Sequence, residues 1–392
     1  MELKKAKNIN WIIVLLISFF VSEAIYKLLV DLKLSEIRIA GVVKLIAQLF
    51  MAFVIFKNYK VNKTPLVLTA LLCLLYCVGQ ISLKDNSHVI HHLEYLNNAI
   101  FVIITLLFYN GLDLSREQKK STLKYFEIIV IINSLAAILG FLLSIKYFET
   151  YQWKRFGYDG FLVKSSYASY FYLVSVFYFI HQVFILKKKK IIFLIVVTFA
   201  AILTGTKATI LFIFLCFFYV LFRTKAYLKK KFIIAVSAFG FGAFLCRNYI
   251  KSFVFPVVDF FSPIVEEHGI YTALFSFRNL ILQNELLPYI HENWRLPNYL
   301  FGGMGNIMIK SGFDFIDLFY FFGAVGSILY LFILFRVFYL KNIARDYVYF
   351  FILLAIVMSL GGNLFYNSSV AILLCIVKIY FELIKEDEGK PT

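Results

Sequence analysis

Residues 191–222 read IIFLIVVTFAAILTGTKATILFIFLCFFYVLF, two apolar runs joined by the turn Thr204-Gly205-Thr206-Lys207. Lys207 is the single charged residue in this stretch. Apolar runs of this kind favour helices within a lipid bilayer, because a helix satisfies its own backbone hydrogen bonds where water is absent. The stretch therefore predicts a helical hairpin embedded in a membrane.

The same pattern extends over the whole chain of 392 residues, of which 61% are hydrophobic and 16% are charged. So little charge cannot cover the surface of a soluble protein of this size. We predict an all-α, polytopic membrane protein that forms a single integral membrane domain over residues 1–392. The predicted spans lie at about 9–30, 39–56, 65–83, 95–112, 123–145, 167–186, 191–206, 208–222, 232–247, 314–339, 347–364 and 369–385.

The net charge of +17 would suggest a nucleic-acid partner for a soluble protein, but its distribution has a different explanation. Most Lys and Arg residues fall in alternate loops between the predicted spans, for example at Lys57/Lys60/Lys63 and Lys187–Lys190. Cytoplasmic loops of membrane proteins are enriched in these residues. The alternation therefore predicts twelve spans with both termini in the cytoplasm, and no nucleic-acid partner.

Two of the predicted outer loops are long. The first runs from Lys146 to Ser166, and the second covers residues 248–313. Loops of this length usually have a function or a structure of their own. Because the second loop contains helix-like apolar runs interrupted by prolines, we expect it to form an extracytoplasmic cap of short helices.

Lys207 occupies an unusual position in the hairpin. A helix over residues 191–205 is about 22 Å long at 1.5 Å per residue, which is less than the roughly 30 Å hydrocarbon core. We therefore expect the turn to lie below the outer surface, with Lys207 inside the membrane profile. Charges at such depth usually mark functional sites, although a lysine can also extend to the headgroups. Lys207 is a candidate catalytic residue.

Four of the cations in the two long outer loops are further candidate site residues. Lys154 and Arg155 belong to a basic, aromatic segment, Arg278 lies within an apolar helix-like run, and Arg295 follows Trp294. Arginine suits bidentate contact with phosphate, although cations at a membrane surface often only cover apolar surface. We predict catalytic roles for Arg155 and Arg278, and substrate binding by Lys154 and Arg295.

A glycine-rich segment follows these cations, with Gly302, Gly303 and Gly305 close together. Glycines allow a backbone to approach a ligand closely, and they also simply form turns. The segment is not a P-loop, because the Gly-Lys-Ser/Thr element is absent. We predict that the three glycines contact substrate.

The next predicted span opens with two aspartates. Ser311 and Asp314 have the spacing of a capping box, with Asp in place of the usual Glu, and we also assign Asp314 to substrate binding. Asp317 lies one turn deeper on the same face and is a candidate catalytic carboxylate. A general base must reach a substrate hydroxyl. His291, Asp314, Asp317 and the glutamates of the loop remain alternatives for this role, and His291 is included among the catalytic candidates.

The remaining polar groups predict little chemistry. The histidines of the segment His88–His92 lie near Glu94 but lack a recognisable zinc-ligand spacing, so no metal or other cofactor is expected. Glu23 and Lys27 are spaced i, i+4 in the first span and are expected to pair with each other.

These outer segments together resemble the O-antigen polymerase and ligase superfamily, in particular the Wzy-type polymerases. The resemblance covers about residues 150–365 and is carried by Arg155–Tyr158, Leu203–Ala208, Phe277–Asn279 and Leu300–Gly326. Family members often have Ser-Arg where this chain has Thr-Lys at 206–207, and lysine keeps the charge but loses the bidentate fork. The His-Asn pair found before the last long helix of ligase-type members is absent, which favours a polymerase.

The resemblance implies a membrane-embedded glycosyltransferase at the outer face of the bacterial plasma membrane. Its donor would be an undecaprenyl-diphosphate-linked oligosaccharide, and its acceptor the non-reducing end of a second lipid-linked repeat unit. The product would be O-antigen or capsular polysaccharide, with undecaprenyl diphosphate released. A flippase and a chain-length regulator are the expected protein partners. An O-antigen-type ligase and a flippase or transporter of lipid-linked oligosaccharide are the alternative functions.

Overall fold

The computed structural model describes residues 10–34, 39–85, 89–151, 156–229, 262–305, 310–338 and 345–388. Within these ranges the chain is helical, and its strand-like pairing is confined to an isolated bridge between Glu149 and Tyr158. Seven of the described helices are long and apolar enough to cross a membrane. The prediction of an all-α membrane protein is therefore confirmed at this level.

The helices follow the predicted spans closely. Eleven of these spans fall on described helices, and the span predicted at 232–247 lies outside the described residues. The described helices are α1 Trp11–Asp31, α2 Ile39–Lys57, α3 Tyr59–Ile81, α4 Val89–Asn110, α5 Arg116–Leu143, α6 Ser165–Ile180, α7 Ile191–Leu203, α8 Lys207–Arg223, α9 262–275, α10 Arg278–Ile281, α11 Leu287–Asn293, α12 Leu296–Phe301, α13 Asp314–Phe338, α14 Arg345–Leu360 and α15 Ser368–Glu388. Two π-helical segments, His181–Ile185 and Leu282–Leu286, continue α6 and α10.

Helices α6 and α15 form the centre of the bundle. Every residue of α6 from Tyr167 to Ile180 is buried, as are residues 370–381 of α15. A helix that is apolar on all sides is stable only when other helices surround it. Helix α15 packs against α4, α5 and α6, and α6 also packs against α7 and α8.

The helix termini gather at two ends of the bundle. We call the end that contains Leu143, Leu203 and Leu360 the cap end, because the short helices of 262–305 pack there. Backbone hydrogen bonds join its segments, for example Tyr158 N to Leu203 O at 2.7 Å. We call the end that contains Arg116, Arg223 and the start of α14 the base end, where ion pairs join the helix termini.

The part of the cap that the structure describes contains short helices, as the sequence predicts for this loop. Its described part runs from 262 to 305 and contains α9 to α12, while residues 248–261 and 306–309 lie outside the described residues. Lys84 N at the end of α3 donates to Asn293 O of the cap at 3.2 Å. Trp294 is buried and its indole Nε1 donates to Gly303 O at 2.7 Å, which holds α11 against the glycine-rich segment.

The predicted pair between Glu23 and Lys27 is wrong. Glu23 instead accepts from Lys44 Nζ of α2 at 2.6 Å, and Lys27 forms an ion pair with Asp159 in the loop between α5 and α6. The i, i+4 spacing places the two side chains on one helix face, but tertiary partners on two other elements compete for them. Each charge in this buried region is thus paired with an opposite charge, as the cost of burial requires.

Candidate functional site

A cavity of about 460 Å³ lies at the cap end, between α6, α8, α14 and the cap. Its walls bring together Lys207 and Arg278, two cations singled out by the sequence from segments 71 positions apart. Hydroxyl-bearing side chains of α6 line the opposite wall, and Leu173, Leu211 and Val357 form an apolar floor. The cavity therefore combines positive charge, hydroxyl groups and an apolar surface.

Lys207 begins α8, directly after the turn that follows the short helix α7. Helix α7 has 13 residues, which is about 20 Å at 1.5 Å per residue, and the turn residues Thr204 and Thr206 are buried. The ammonium of Lys207 donates to the carbonyls of Ala273 and Leu274 and, at 3.0 Å, to Ser276 Oγ. These bonds fix the lysine between the membrane helices and the cap.

Three hydroxyl groups hold the turn in place. Thr206 Oγ1 lies 2.6 Å from Thr209 Oγ1, and Ser169 Oγ of α6 donates to it at 3.0 Å. Gly205 has a φ of +65°, and a Cβ there would overlap Phe156 O. A residue with a side chain is thus excluded by both backbone conformation and space.

The loop after α5 packs directly on this turn. Gly157 approaches so closely that a Cβ there would lie 2.7 Å from Thr204 O. The loop and the turn are two separate motifs in the family resemblance, and the structure brings them into contact. The predicted site residues Lys154 and Arg155, which precede the contact, lie outside the described residues.

A buried ion pair anchors the same loop to α1. Lys27 Nζ bonds to Asp159 and, at 2.8 Å, to Gly160 O, while Asn133 Nδ2 of α5 donates to Asp159 O at 3.0 Å. Burial raises the pKa of Asp159 to about 7, and the positive charge of Lys27 opposes this rise. Since the loop contacts the turn before Lys207, the pair acts indirectly on the position of that lysine.

The side chain of Arg278 lines the cavity and lies against two glycines, Gly312 and Gly361. Its Nη1 donates to Leu360 O at 3.0 Å. A Cβ at Gly361 would overlap this nitrogen, and a Cβ at Gly312 would lie 2.8 Å from Nε. A guanidinium has five N–H donors, and the structure shows this one engaged with a neutral carbonyl. Among the described residues, Arg278 forms no ion pair, although its charge acts on the nearby buried carboxylate of Asp314, and its side chain lines the cavity.

Asp314 lies immediately behind the cavity wall and is fully buried. Its Oδ2 accepts from the hydroxyl of Tyr170 at 2.9 Å, and its carboxylate accepts from Leu364 N at 3.2 Å. A Cβ at Gly362 would overlap Oδ2. Tyr170 lines the cavity, and Asp314 holds its hydroxyl in position. Asp314 itself does not line the cavity.

The predicted capping box between Ser311 and Asp314 is wrong, because Ser311 pairs with Asp317 instead. Asp317 Oδ1 accepts from the backbone N and the Oγ of Ser311 at 2.8 and 2.7 Å, and Oδ2 accepts from Gly312 N and Tyr366 Oη. Its carboxylate is buried and holds the segment before α13. Asp317 does not line the cavity, so the structure separates this predicted catalytic residue from Lys207 and Arg278.

The other predicted residues of the cap also lie away from the cavity lining. His291 and Arg295 are exposed, on α11 and at the start of α12. Gly302 packs on the backbone of Phe321, and its close neighbours Gly303 and Gly305 pack on Leu83, Asn298 and Tyr289. The close approach expected of these glycines therefore occurs, but toward other helices of the protein rather than toward the cavity.

Several cavity residues were not singled out from the sequence. Ser165, Ser169 and Tyr170 lie on α6, and Gly361 to Asn363 follow α14. The sequence signal for the residues of α6 was a row of hydroxyl groups at helical spacing in an otherwise apolar span. Such a pattern by itself predicts a helix in the protein core.

A metal site is not part of this arrangement. Among the described residues, no group of three or more His, Cys, Asp or Glu side chains could hold a metal ion. His92 is buried, with Nε2 2.9 Å from Gly305 O, and thus joins α4 to the cap.

No family model, curated protein or solved structure matches the chain. The chemistry of the cavity is therefore the basis for assigning a function.

Proposed function

We propose that the protein is a membrane-embedded glycosyltransferase that polymerises undecaprenyl-diphosphate-linked oligosaccharide repeat units into surface polysaccharide. The observation that carries the proposal is the convergence of Lys207 and Arg278 on one cavity at the end of a bundle of apolar helices. A lipid diphosphate has two negatively charged phosphates attached to an apolar chain. The cavity offers two cations beside an apolar floor, so its chemistry complements this class of substrate.

The proposed topology has twelve spans, with the base end in the cytoplasm and the cap end outside. The C-terminal ends of α7 and α14 and the helices of the cap all lie at the cap end, so alternate loops meet there. The base end carries the clusters Lys187–Lys190 and Arg223–Lys229, as the enrichment of Lys and Arg in cytoplasmic loops requires. The cavity then opens at the outer face of the plasma membrane, where lipid-linked repeat units are exposed after a flippase has moved them.

In the proposed reaction, an acceptor sugar hydroxyl attacks the anomeric carbon of the donor. The bond from that carbon to the diphosphate breaks, undecaprenyl diphosphate leaves with the bonding electron pair, and the proton of the attacking hydroxyl passes to the departing diphosphate. Negative charge on the leaving group increases in the transition state, and fixed cations stabilise it more strongly than they stabilise the ground state. We assign this role to Arg278 and Lys207.

The remaining cavity residues orient the sugars in this proposal. The hydroxyls of Ser165, Ser166 and Ser169 form a polar strip on α6, and hydroxyl groups both donate and accept hydrogen bonds. Tyr170, held by Asp314, presents a further hydroxyl at a fixed position. Such a surface suits the many hydroxyls of an oligosaccharide. Among the described residues, no carboxylate lines the cavity, and Asp314 reaches it only through its hydrogen bond with Tyr170.

A strain lacking the gene tests the function. A polymerase predicts that single repeat units reach the cell surface while longer chains disappear, because export and attachment continue without it. Full-length chains that remain on undecaprenyl diphosphate would indicate a ligase, and repeat units trapped on the cytoplasmic side would indicate a flippase. Either result would contradict the proposal.

A further inference from the structure

A second polar cavity, of about 500 Å³, lies at the base end, at the opposite end of the bundle from Lys207 and Arg278. Four cations line it, and two carboxylates, Asp113 and Glu382, lie among them, which gives a formal charge of +2. The four cations are Lys63, Lys119, Arg336 and Lys378. A positively charged cavity of this size can hold an anionic group.

The floor of this cavity is the ammonium of Lys378, whose residue is only 4% exposed. It donates to Asn110 Oδ1 at 2.5 Å and to Val337 O at 2.6 Å, and it lies 5.5 Å from the centre of the Tyr109 ring. Asn110 and Val337 lie at the C-terminal ends of α4 and α13, whose dipoles offset part of the charge. An ammonium has three N–H donors, and these bonds use two of them.

The carboxylates of the cavity do not neutralise its floor. Glu382 lies 2.9 Å from Lys119 Nζ and also accepts from the Tyr109 hydroxyl, and Lys119 pairs with Glu386 at 2.7 Å as well. Lys119 is thus engaged by two glutamates and is not one of the cations assigned to a ligand. Within the described part of the chain, Lys63, Arg336 and Lys378 form no ion pair. Lys63 and Arg336 are exposed residues of the cavity rim. The enrichment of cations in cytoplasmic loops accounts for exposed residues such as these, but not for a buried lysine.

We propose that this cavity binds a phosphate group, with Lys378 on its floor and Lys63 and Arg336 at its rim. Arginine and lysine are the side chains that bind phosphate oxygens most strongly, through charge-assisted hydrogen bonds. The phosphate has two possible sources, the headgroup of an anionic phospholipid in the adjacent leaflet or soluble inorganic phosphate. The proposal is independent of the polymerase function, because neither cavity shares a residue with the other.

The test uses the full-length protein in lipid nanodiscs and in neutral detergent. Native mass spectrometry compares the retention of phosphatidylglycerol with that of phosphatidylcholine, and thermal unfolding compares inorganic phosphate with sodium chloride at equal ionic strength. The variants are Lys378→Met, the rim double variant Lys63→Gln/Arg336→Gln, and Lys229→Gln as a control. Lys229 is an exposed lysine after α8 that does not line the cavity.

We expect phosphatidylglycerol or phosphate to bind the wild type and to bind about fivefold more weakly for each cation removed. Preferential retention of phosphatidylglycerol identifies a lipid headgroup, and stabilisation by phosphate alone identifies the soluble anion. The rim variant removes only exposed side chains, so its result stands even if Lys378→Met does not fold. Equal retention of both lipids together with no effect of phosphate, or an equal loss in Lys229→Gln, would overturn the proposal.

Discussion

Arg278 and Arg223 lie at opposite ends of the bundle and use the same side chain differently. Arg223 donates two hydrogen bonds to Asp346, from Nε to Oδ1 at 2.7 Å and from Nη2 to Oδ2 at 3.3 Å. Arg278 instead donates to the carbonyl of Leu360 and lies at the wall of a cavity. A guanidinium that is paired with a carboxylate stabilises the fold, whereas Arg278 forms no ion pair among the described residues and lines the cavity that we propose to bind substrate. This difference separates the structural cations of the protein from the candidate catalytic ones.

The largest expected effect comes from replacing each arginine by alanine. Arg278→Ala should reduce polymerisation about 10²–10³-fold, the usual cost of losing one group that stabilises transition-state charge. Arg223→Ala should leave the rate within a few-fold but lower thermal stability in detergent, because Asp346 loses the two hydrogen bonds from the guanidinium. The rate of polymerisation is measured with purified protein, from the ladder of glycan chains that it produces. An equal loss of rate in folded Arg223→Ala would remove the distinction between the two arginines.

Replacing Lys207 extends the comparison to the second cation of the cavity. Lys207→Met keeps most of the side-chain volume and removes the charge, so we expect polymerisation to fall about 10²-fold with the protein still folded. Lys207→Arg should retain more activity, since the charge remains. Lys225→Met, at an exposed lysine of the base end, is the matched control and should behave like the wild type. Wild-type rates in Lys207→Met would exclude this lysine from the reaction.

A smaller effect is expected from displacing Arg278 without removing it. A Cβ at Gly361 would overlap Arg278 Nη1, so Gly361→Ala should push the guanidinium from its place and slow polymerisation roughly tenfold, since misplacement by about an ångström can cost this much or more. Gly269 also has a positive φ, but a Cβ there meets nothing within 4 Å. Gly269→Ala therefore also places a side chain at a positive φ, without the overlap, and should leave the rate nearly unchanged. Equal rates for the two variants would show that the position of Arg278 is unimportant.

The smallest effect concerns Lys310, a cation that lies against two tyrosine rings. Its Nζ lies 4.4 and 5.0 Å from the ring centres of Tyr95 and Tyr366, and burial lowers the pKa of Lys310 to about 8 from 10.5. Between these values the unfolded chain binds more protons than the native state, so the free energy of unfolding should rise as the pH rises from 8 to 10.5. Thermal unfolding in detergent across this range measures the slope. Lys310→Met should flatten it, whereas exposed Lys33→Met should not.

The helices were predictable from the sequence because the length of an apolar run is a local property. The short helix α7 and the turn before Lys207 were predictable for the same reason, and the depth of this turn in the bilayer stays a prediction. The partners of Glu23, Lys27 and Ser311 were not predictable, because spacing along one helix does not reveal competitors on other elements. The place of Gly361 beneath Arg278 depends on a contact across 83 positions of the chain, which no local pattern encodes.

The most direct test of the proposed function is polymerisation in vitro, with purified protein and a purified undecaprenyl-diphosphate-linked repeat unit. The wild type should produce a ladder of chains and release undecaprenyl diphosphate in proportion to the bonds formed. Arg278→Ala should form the ladder about 10²–10³-fold more slowly under the same conditions. Folded wild-type protein that produces no ladder, or a wild-type ladder from Arg278→Ala, would contradict the assignment of this cavity as a diphosphate-binding active site.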